Sequence, residues 1–480
     1  MTNHNLHIPV MQEEFSDVDF GHRRLSKRCE IIVNGIKDQP AATFPDAMGN
    51  QNDTQSFYRF CRNPRAHMRS INTPHFKETA RRVDEADGEV IVCHDTTAFT
   101  PASASPEDGF YEITTNTYGL YLHVALASCA KTGLPLGVLG GRVVDPAPAQ
   151  HYVNDDGVEK ERSSKSIWKD PKKQSRRWFE TVWEIQQRLV NDDHVLNLFD
   201  SEADSYEAFA ELCCSGARFI ARLKHNRTIP ATAEAAGESL FEFVDDAPVM
   251  VEREIVLSRR TKSSAPKRNK THPSREKRRA KLEIRAKKVE ISRHRGIPSA
   301  SKLPETLELN IVSVREKDCP EGCEPISWNL LTTEPITSAK EIAAVVDNYC
   351  KRWRVEEYFD VLKNGCALNE RLPESRQTAE VVIALLLPLA WQLLWLRQLE
   401  RLKSTAPASL VFPKERVRIL RALLPKNTLP PRPSVRHIVK AIATYGGHLP
   451  QNGPPGWRIL WRGYQKFVDF EQGWLAARAD

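Results

Sequence analysis

The sequence lacks an apolar segment of the length that usually crosses a membrane. Its longest apolar run, residues 381–396, is shorter than the roughly 20 residues that a spanning helix needs, and it contains Pro388 and Gln392. The opening residues, MTNHNLHIPVMQEEF, lack the apolar core of a secretory signal peptide. We therefore expect a buried core helix at 381–396, no membrane partner and a cytoplasmic location.

Cysteine is present, but its spacing is not typical of a structural zinc site. Two of the ten cysteines are adjacent, Cys213 and Cys214, and Cys319 and Cys323 form a C-x3-C pair. A second pair with matched spacing does not follow, nor does a His-x3–5-His pattern, so the sequence argues against a zinc module. Reduced thiols are the simplest interpretation.

Positive charge is concentrated in one segment of this 480-residue chain. The formal net charge is +7, but residues 259–295 alone contain 16 Lys and Arg against three Glu, which leaves the rest at −6. A concentrated basic segment is typical of contact with a polyanion such as nucleic acid. A disordered tail or a localisation signal would have the same composition.

The order of apolar patterns predicts three regions. Residues 1–70 contain short helices in which arginines alternate with aromatic and apolar residues, which suits either contact with DNA or ordinary packing. Three strand patterns then follow, in GEVIVCHDTTAF, YGLYLHVALASCA and LPLGVLGGRVVDP, and after them a helix, a strand and a helix. This order predicts an α/β, RNase H-like domain. Residues 228–330 are expected to form an inserted β subdomain, and residues beyond 371 are expected to be helical.

One charged segment, NYCKRWRVEEYFDVLKNG, has a regular arrangement of functional groups. On a helix of about 3.6 residues per turn, Tyr349, Arg352, Glu356 and Lys363 fall within roughly 60° of one another. A phenol, a guanidinium, a carboxylate and an ammonium on one stripe suit a phosphate-bearing ligand with a metal ion beside it. A solvent-exposed helix with ion pairs would give the same pattern.

Two further acids are expected at strand ends, Asp95 in HDTT and Asp200 in LFDSEAD. Each alone could be a simple cap. Together with Glu356 they would repel one another unless divalent cations neutralised them, and carboxylate oxygens suit Mg²⁺ or Mn²⁺. Two such ions, about 3.5–4 Å apart, can drive displacement at a phosphodiester.

The stripe matches the Tyr-x2-Arg-x3-Glu-x6-Lys signature of bacterial insertion-sequence DDE transposases, and the chain resembles this family, in particular the transposon-five type. The blocks that carry the resemblance occur in order along nearly the whole chain: YRFCRNP, HDTT, DSEAD, RLKHNR, LLTTEP, YCKRWRVEE and GWLAARA. In DSEAD, Ser201 stands where the family usually has Arg, which puts a phosphate contact at that position in doubt.

The resemblance implies roles for individual residues. Asp95, Asp200 and Glu356 would be the catalytic residues and would hold two Mg²⁺ ions, or Mn²⁺. The residues that would contact DNA are Tyr349, Arg352, Lys363, Arg222, Lys224 and Trp328. The last of these would stack on a flipped base beside a DNA hairpin, although a core tryptophan is the alternative.

The resemblance also implies a function and a domain plan. The function would be cut-and-paste DNA transposition by a homodimer that binds transposon ends and target DNA, in a bacterial cytoplasm in association with the nucleoid. Residues 1–70 would bind DNA, residues 71–370 would be catalytic, with the β insertion at 228–330, and residues 371–480 would dimerise. The alternatives are a non-catalytic DNA-binding regulator or inhibitor derived from a transposase, and a plain metal-dependent nuclease.

Overall fold

The structure is a computed structural model. It describes residues 13–38, 42–145, 151–153, 159–161, 173–230, 237–257, 259, 274–294, 297, 302–401, 407–410, 412, 414–425, 428–449, 451 and 455–477. Residues 260–273 and 295 of the basic segment 259–295 lie outside these residues. The chain divides into two compact units, and each is described by itself. The first comprises Met1–Pro146, Glu184–His194 and Trp353–Asp480, and the second comprises Ala147–Trp183 and Val195–Arg352.

The elements are named in chain order. The helices are α1 Arg23–Asp38, α2 Phe44–Met48, α3 Gln51–Cys61, α4 Met68–Asp84, α5 Arg176–Gln186, α6 Tyr206–Cys214, α7 Leu240–Asp245, α8 Ala339–Cys350, α9 Trp353–Asp360, α10 Arg376–Arg401, α11 Lys414–Leu423, α12 Val435–Tyr445 and α13 Trp457–Ala476. The strands are β1 Val90–Phe99, β2 Tyr111–Thr114, β3 Thr117–Cys129, β4 Pro135–Val144, β5 His151–Val153, β6 Glu159–Glu161, β7 Val195–Phe199, β8 Arg218–Arg222, β9 Val251–Leu257, β10 Arg278–Ser292, β11 Thr306–Lys317 and β12 Ser327–Thr332.

The first unit begins with the short helices that the sequence predicts. Polar side chains cap two of them: Thr43 accepts a hydrogen bond from the Asp46 backbone before α2, and Asn50 accepts one from the Asp53 backbone before α3. Helix α4 follows and packs on β4. The approach is close at Gly137, where a Cβ atom would lie 2.0 Å from the Thr79 hydroxyl.

The sheet of the first unit is antiparallel. Strand β3 pairs along its length with β1, from Val90 opposite Cys129 to Phe99 opposite Leu120. It also pairs with β4, and β2 pairs with its first residues. Three antiparallel strands in sequence are what the apolar patterns predict.

Helix α10 contains the apolar run and is buried in the first unit. It is the one helix among the described residues that is long and apolar enough to cross a membrane, yet 94% of its apolar window is buried inside the protein. Pro388 lies inside this helix and has no backbone N–H to donate to Ala384 O. The Asn72 amide of α4 donates to that carbonyl instead, at 2.7 Å. The prediction of a buried core helix is confirmed.

The second unit contains a mixed sheet in the order β7-β8-β12-β11-β10-β9. Strands β7 and β8 are parallel, and α6 connects them, as parallel neighbours require a crossover. The other neighbours are antiparallel. Strands β9 to β11 belong to the predicted insertion, and they extend this sheet through β12. Phe209 and Phe219 stack at 5.8 Å between ring centroids in the core beneath it.

Candidate active site

Asp95 lies inside β1 and not at its end, so the expectation of a strand end is wrong at this position. Thr96 and Thr97 continue the pairing with β3 as far as Phe99, because β-branched threonines fit a pleated strand. The Asp95 side chain is largely buried, at 8% exposure. Its Oδ1 accepts a hydrogen bond from the backbone N–H of Thr96 at 2.7 Å.

The signature segment forms two helices, and not the one continuous helix that its spacing predicts. Helix α8 begins in a capping box of Ser338 and Glu341 and ends at Cys350, and α9 starts at Trp353. At the break, Arg352 N donates to Tyr349 O, a bond across three residues instead of four. This tighter turn changes the angular position of every following residue, so the ideal spacing of the stripe does not apply across it.

A second irregularity follows α9. Residues Val361–Gly365 form a π-helical turn, closed by a hydrogen bond from Cys366 N to Val361 O at 2.9 Å. Lys363 lies within this turn. Single π turns are frequent at functional sites, because the inserted residue redirects a side chain.

In the first unit, the Lys363 ammonium lies within electrostatic range of two of the expected catalytic acids. Helix α9 packs on β1 and β3. Burial lowers the pKa of Lys363, whereas the negative charges of Asp95 and Glu356 raise it. Charge interactions weaken with distance, so this fold brings two acids from distant parts of the sequence close to one cation.

In the second unit, Asp200 directly follows β7, as the sequence predicts. Its carboxylate caps the short helical turn Ser201–Ala203 by accepting a hydrogen bond from the Glu202 backbone at 2.9 Å. Ser201, which stands in place of the family's arginine, opens this turn. An arginine nevertheless contacts this turn, since Arg177 of α5 forms an ion pair with Glu202 at 2.9 Å.

Tyr349, at the end of α8, is the centre of a cluster in the second unit. Burial raises the pKa of its phenol to about 12; the charges of Arg352 and Arg222 act to lower this pKa, and that of Asp200 acts to raise it. The ring of Trp328 on β12 meets the Tyr349 ring edge to face, with centroids 5.9 Å apart. The second unit therefore brings together five of the residues that the sequence analysis selected.

Trp328 is half-buried, whereas Tyr349 is only 6% exposed. The tryptophan is thus not enclosed in the core, although it packs against the tyrosine ring. Its indole keeps accessible surface on which a flat ligand could stack.

Lys224 lies in a turn after β8 that a buried acid organises. Asp204 Oδ2 accepts hydrogen bonds from the backbone N–H groups of Lys224 at 2.7 Å and His225 at 2.8 Å. Its other oxygen forms an ion pair with Arg227. The Lys224 side chain is exposed. Sequence reasoning missed Asp204, whose only signal was that it is the second aspartate of DSEAD.

Trp353 is a second residue that the sequence analysis missed. It is the first residue of α9, immediately after Arg352, and its side chain is 63% exposed. A large aromatic side chain so exposed beside a signature arginine is a candidate surface for nucleobase stacking.

The acids have the right chemistry for hard divalent ions. Asp95 and Glu356 in the first unit and Asp200 in the second offer carboxylate oxygens, which Mg²⁺ and Mn²⁺ prefer. Within either unit, the described residues contain no group of three or more His, Cys, Asp and Glu side chains that could hold a metal ion. In the first unit the charge of Lys363 partly balances the two carboxylates.

Two family models match this chain. A transposase DNA-binding domain matches residues 9–66, and a transposase DDE domain matches residues 172–391. Together the matches span more than half of the sequence. The chain contains a transposase DNA-binding domain and a transposase DDE domain.

The DDE match of this transposase includes Asp200, Glu356 and every residue that the sequence analysis expected to contact DNA. Asp95 lies before the matched range. The DNA-binding match covers the 3-10 helix Glu13–Phe15 and helices α1 to α3. Transposase DDE domains generally use divalent metal ions, which agrees with the donor chemistry described above.

A solved structure similar to this transposase is a piggyBac transposase synaptic complex with hairpin DNA, determined by cryo-electron microscopy. The alignment has 10% sequence identity and a TM-score of 0.33, and it covers 82% of this chain and 72% of that one.

Proposed function

We propose that this transposase performs cut-and-paste DNA transposition of the transposon-five type, with Asp95, Asp200 and Glu356 as its metal-binding catalytic residues in an RNase H-like core. The observation that supports the proposal is that the helix carrying Glu356 packs on the strand carrying Asp95, and that both carboxylates act to raise the pKa of Lys363. Acids placed together around a cation are at a site built for charge neutralisation, which a divalent ion provides more strongly.

The residues around the acids have complementary tasks. Arg352, Lys363 and the Tyr349 hydroxyl would hold phosphates near the cleaved strand end, since a guanidinium, an ammonium and a phenol all donate hydrogen bonds to phosphate oxygens. Arg222 and Lys224 would contact the DNA backbone beside the site. The pKa of Tyr349, raised to about 12 by burial, keeps its hydroxyl protonated and able to donate at neutral pH.

The proposed reaction is a series of in-line attacks on phosphodiesters. Two bound Mg²⁺ or Mn²⁺ ions would activate the attacking oxygen and stabilise the leaving oxygen. Water nicks one strand, and the freed 3′-hydroxyl oxygen then bonds to phosphorus in the opposite strand, releasing the flanking DNA and closing a hairpin. A second water opens the hairpin, and the 3′-end joins target DNA. The same acids would serve each step because the bond being broken is always a phosphodiester bond.

Trp328 would stack on a base that leaves the duplex when the hairpin forms. Closing a hairpin bends the terminal nucleotides sharply, and an extruded base needs a flat apolar partner. The exposed Trp353 offers a second ring. We further propose that two copies of the chain act on two DNA ends and that the carboxy-terminal helices hold the dimer. Trp461 and Tyr464 of α13 are buried within the chain, so that contact would use other residues.

Cleavage of end-bearing DNA in Mg²⁺ tests the catalytic assignment. Purified Asp95→Ala, Asp200→Ala and Glu356→Gln variants should lose cleavage and strand transfer by at least about 1,000-fold and keep nearly normal end binding, because they lose metal ligands and not phosphate contacts. The substrate is a duplex with the inverted repeats that flank the coding sequence.

Glu357→Gln is the matched control, because Glu357 pairs with Arg354 and Gln398, both at 2.8 Å. This variant should cleave normally. If the three acid variants bind DNA as poorly as they cleave it, the assignment is wrong. Wild-type protein that binds ends but never cleaves would be a regulator, and cleavage without strand transfer would indicate a plain nuclease.

A further inference from the structure

Arg315 on β11 connects three elements of the second unit through one guanidinium. Its Nε and Nη2 donate to Asp245 Oδ2 at the end of α7, at 3.1 and 2.9 Å. Nη2 also donates to Asn329 Oδ1 at 2.8 Å. Nη1 donates to the backbone carbonyl of Trp328 at 2.9 Å. The planar guanidinium is suited to this task, because its donors point in fixed directions.

These contacts lie on the face of the sheet opposite the Trp328 ring. Ser313 and Arg315 of β11 pair with Asn329 and Ser327 of β12, whereas Val314 pairs with Trp328. Side chains alternate between the two faces of a strand. Arg315 therefore bonds to the main chain of Trp328 from one face of the sheet, while the indole contacts Tyr349 on the opposite face.

At the start of β12, side chains add hydrogen bonds to the pairing with β11. The described pairing of β12 with β8 runs from Leu330 to Thr332, and one more bond joins Leu223 N to Asn329 O. Ser327 and Trp328 lie before this ladder. Arg222 reaches the Ser327 carbonyl at 3.4 Å, and Arg315 satisfies the Trp328 carbonyl. Two arginine side chains thus add hydrogen bonds to a strand end that pairs with β11 but not yet with β8.

We infer that Arg315 is a positioning residue for base stacking: it fixes the main chain of Trp328 so that the indole is presented in one orientation to an extruded DNA base. The inference rests on the proposed function, since it assigns Arg315 to the stacking step of the same site. Arg315 does not itself touch DNA in this role. Its effect is confined to the steps at which Trp328 stacks, which are hairpin formation and opening.

The test compares rates of the first nick and of hairpin closure in the full-length protein with end-bearing DNA. Arg315→Ala should slow hairpin closure about tenfold, within the range of about 5- to 150-fold that loss of base stacking causes, and change the first nick less than about twofold. Arg315→Lys should recover part of the loss, because an ammonium can bond one of the acceptors. In a Trp328→Ala background, Arg315→Ala should have no further effect on closure, since the two residues act on one contact.

Arg285→Ala is the matched control. Arg285 lies on β10 of the same sheet, its side chain is 17% exposed against 23% for Arg315, and its partner is Glu283 at 2.6 Å. It should leave both rates unchanged. Thermal unfolding of each variant identifies general destabilisation. If Arg315→Ala does not fold, the rates of the first nick and of hairpin closure are compared in Arg315→Lys instead.

A binding measurement makes the result independent of hairpin chemistry. A preformed hairpin end carrying 2-aminopurine at each of the terminal positions in turn should be quenched by wild-type protein at one position, where the base stacks. Trp328→Ala and Arg315→Ala should both lose this quenching, and Arg285→Ala should keep it.

The outcomes separate the inference from the proposed function. If Trp328→Ala changes neither closure nor quenching, stacking by Trp328 is wrong and the role of Arg315 falls with it. If Trp328→Ala reduces both but Arg315→Ala reduces neither, only the inference about Arg315 is overturned. Equal slowing of the nick and of hairpin closure in Arg315→Lys would make Arg315 merely structural and would also overturn it.

Discussion

Glu14 allows a stability prediction whose size can be worked from the structure. This residue lies within the DNA-binding match, yet its side chain is buried in the first unit at 1% exposure. Its carboxylate accepts two hydrogen bonds from Arg82, at 2.8 and 3.1 Å, and one from His75 Nδ1 at 2.5 Å. The Arg82 guanidinium in turn lies 4.4 Å from the ring centre of Trp391 in α10.

The protonation of His75 follows from its neighbours. Its Nε2 accepts a hydrogen bond from the Val138 backbone N–H at 3.0 Å, so the proton must be on Nδ1, which donates to Glu14. Burial lowers the pKa of His75, which favours the neutral ring. Glu14 is therefore held by one cation and one neutral donor, and removal of its charge leaves the half-buried Arg82 without its counter-ion.

The magnitude follows from the pKa of Glu14. Burial acts to raise this pKa, but Arg82 and His75 outweigh it and lower the pKa from 4.5 to about 2. Since a pKa difference of one corresponds to about 1.4 kcal/mol, the carboxylate should stabilise the fold by about 3 kcal/mol at neutral pH. A depressed folded pKa gives stability that is full above about pH 4.5 and is lost as the pH falls through about 2. At pH 3 the contribution should be about 1 kcal/mol.

The perturbation is Glu14→Gln, measured by urea unfolding at pH 7 and pH 3. We expect a loss of about 3 kcal/mol at pH 7 and about 1 kcal/mol at pH 3. Glu13→Gln is the control, because Glu13 is exposed. In the described side-chain hydrogen bonds Glu13 takes part only through its backbone carbonyl, which accepts from the Ser16 hydroxyl. If Glu14→Gln costs no more than Glu13→Gln, or if its cost is the same at both pH values, the assigned ion pair is wrong.

Two further predictions concern DNA contact. Lys363→Ala should lower the slope of log affinity against log salt concentration by up to about one, because one phosphate contact is lost. Binding titrations at several salt concentrations check this. An unchanged slope would rule the contact out. Asp204→Asn should weaken end binding about tenfold by releasing the main chain at Lys224, whose N–H it accepts at 2.7 Å; lower thermal stability with unchanged affinity would show that this turn does not contact DNA.

Local pattern alone predicted much of the architecture. The amino-terminal helices, the three antiparallel strands, the strand before Asp200 and the buried helix around Pro388 are all where the sequence placed them. Each of these has a regular alternation or a run of apolar residues, and such periodicity reflects which face is buried. The signature residues were identified by spacing and by resemblance, which need no coordinates.

The sequence did not determine where local regularity ends. The apolar run of β1 suggested a strand that stops at Asp95, but pairing with β3 extends it to Phe99. Ideal helical spacing placed Tyr349 and Glu356 on one helix, but the turn at Arg352 separates α8 from α9. These features depend on hydrogen bonds and packing with other elements, so a window of a few residues does not contain them.

Tertiary structure alone decided the partners of individual side chains. Nothing in the sequence pairs Glu14 with Arg82, Arg315 with the carbonyl of Trp328, or Asp204 with the main chain of Lys224. These contacts join residues far apart in the chain, and the register of the sheet and the packing of the helices set which groups meet. The sequence by itself determined the types of chemical group and the secondary structure that carries them, because both depend on short-range pattern. The fold determined which groups share a site, because that depends on long-range packing.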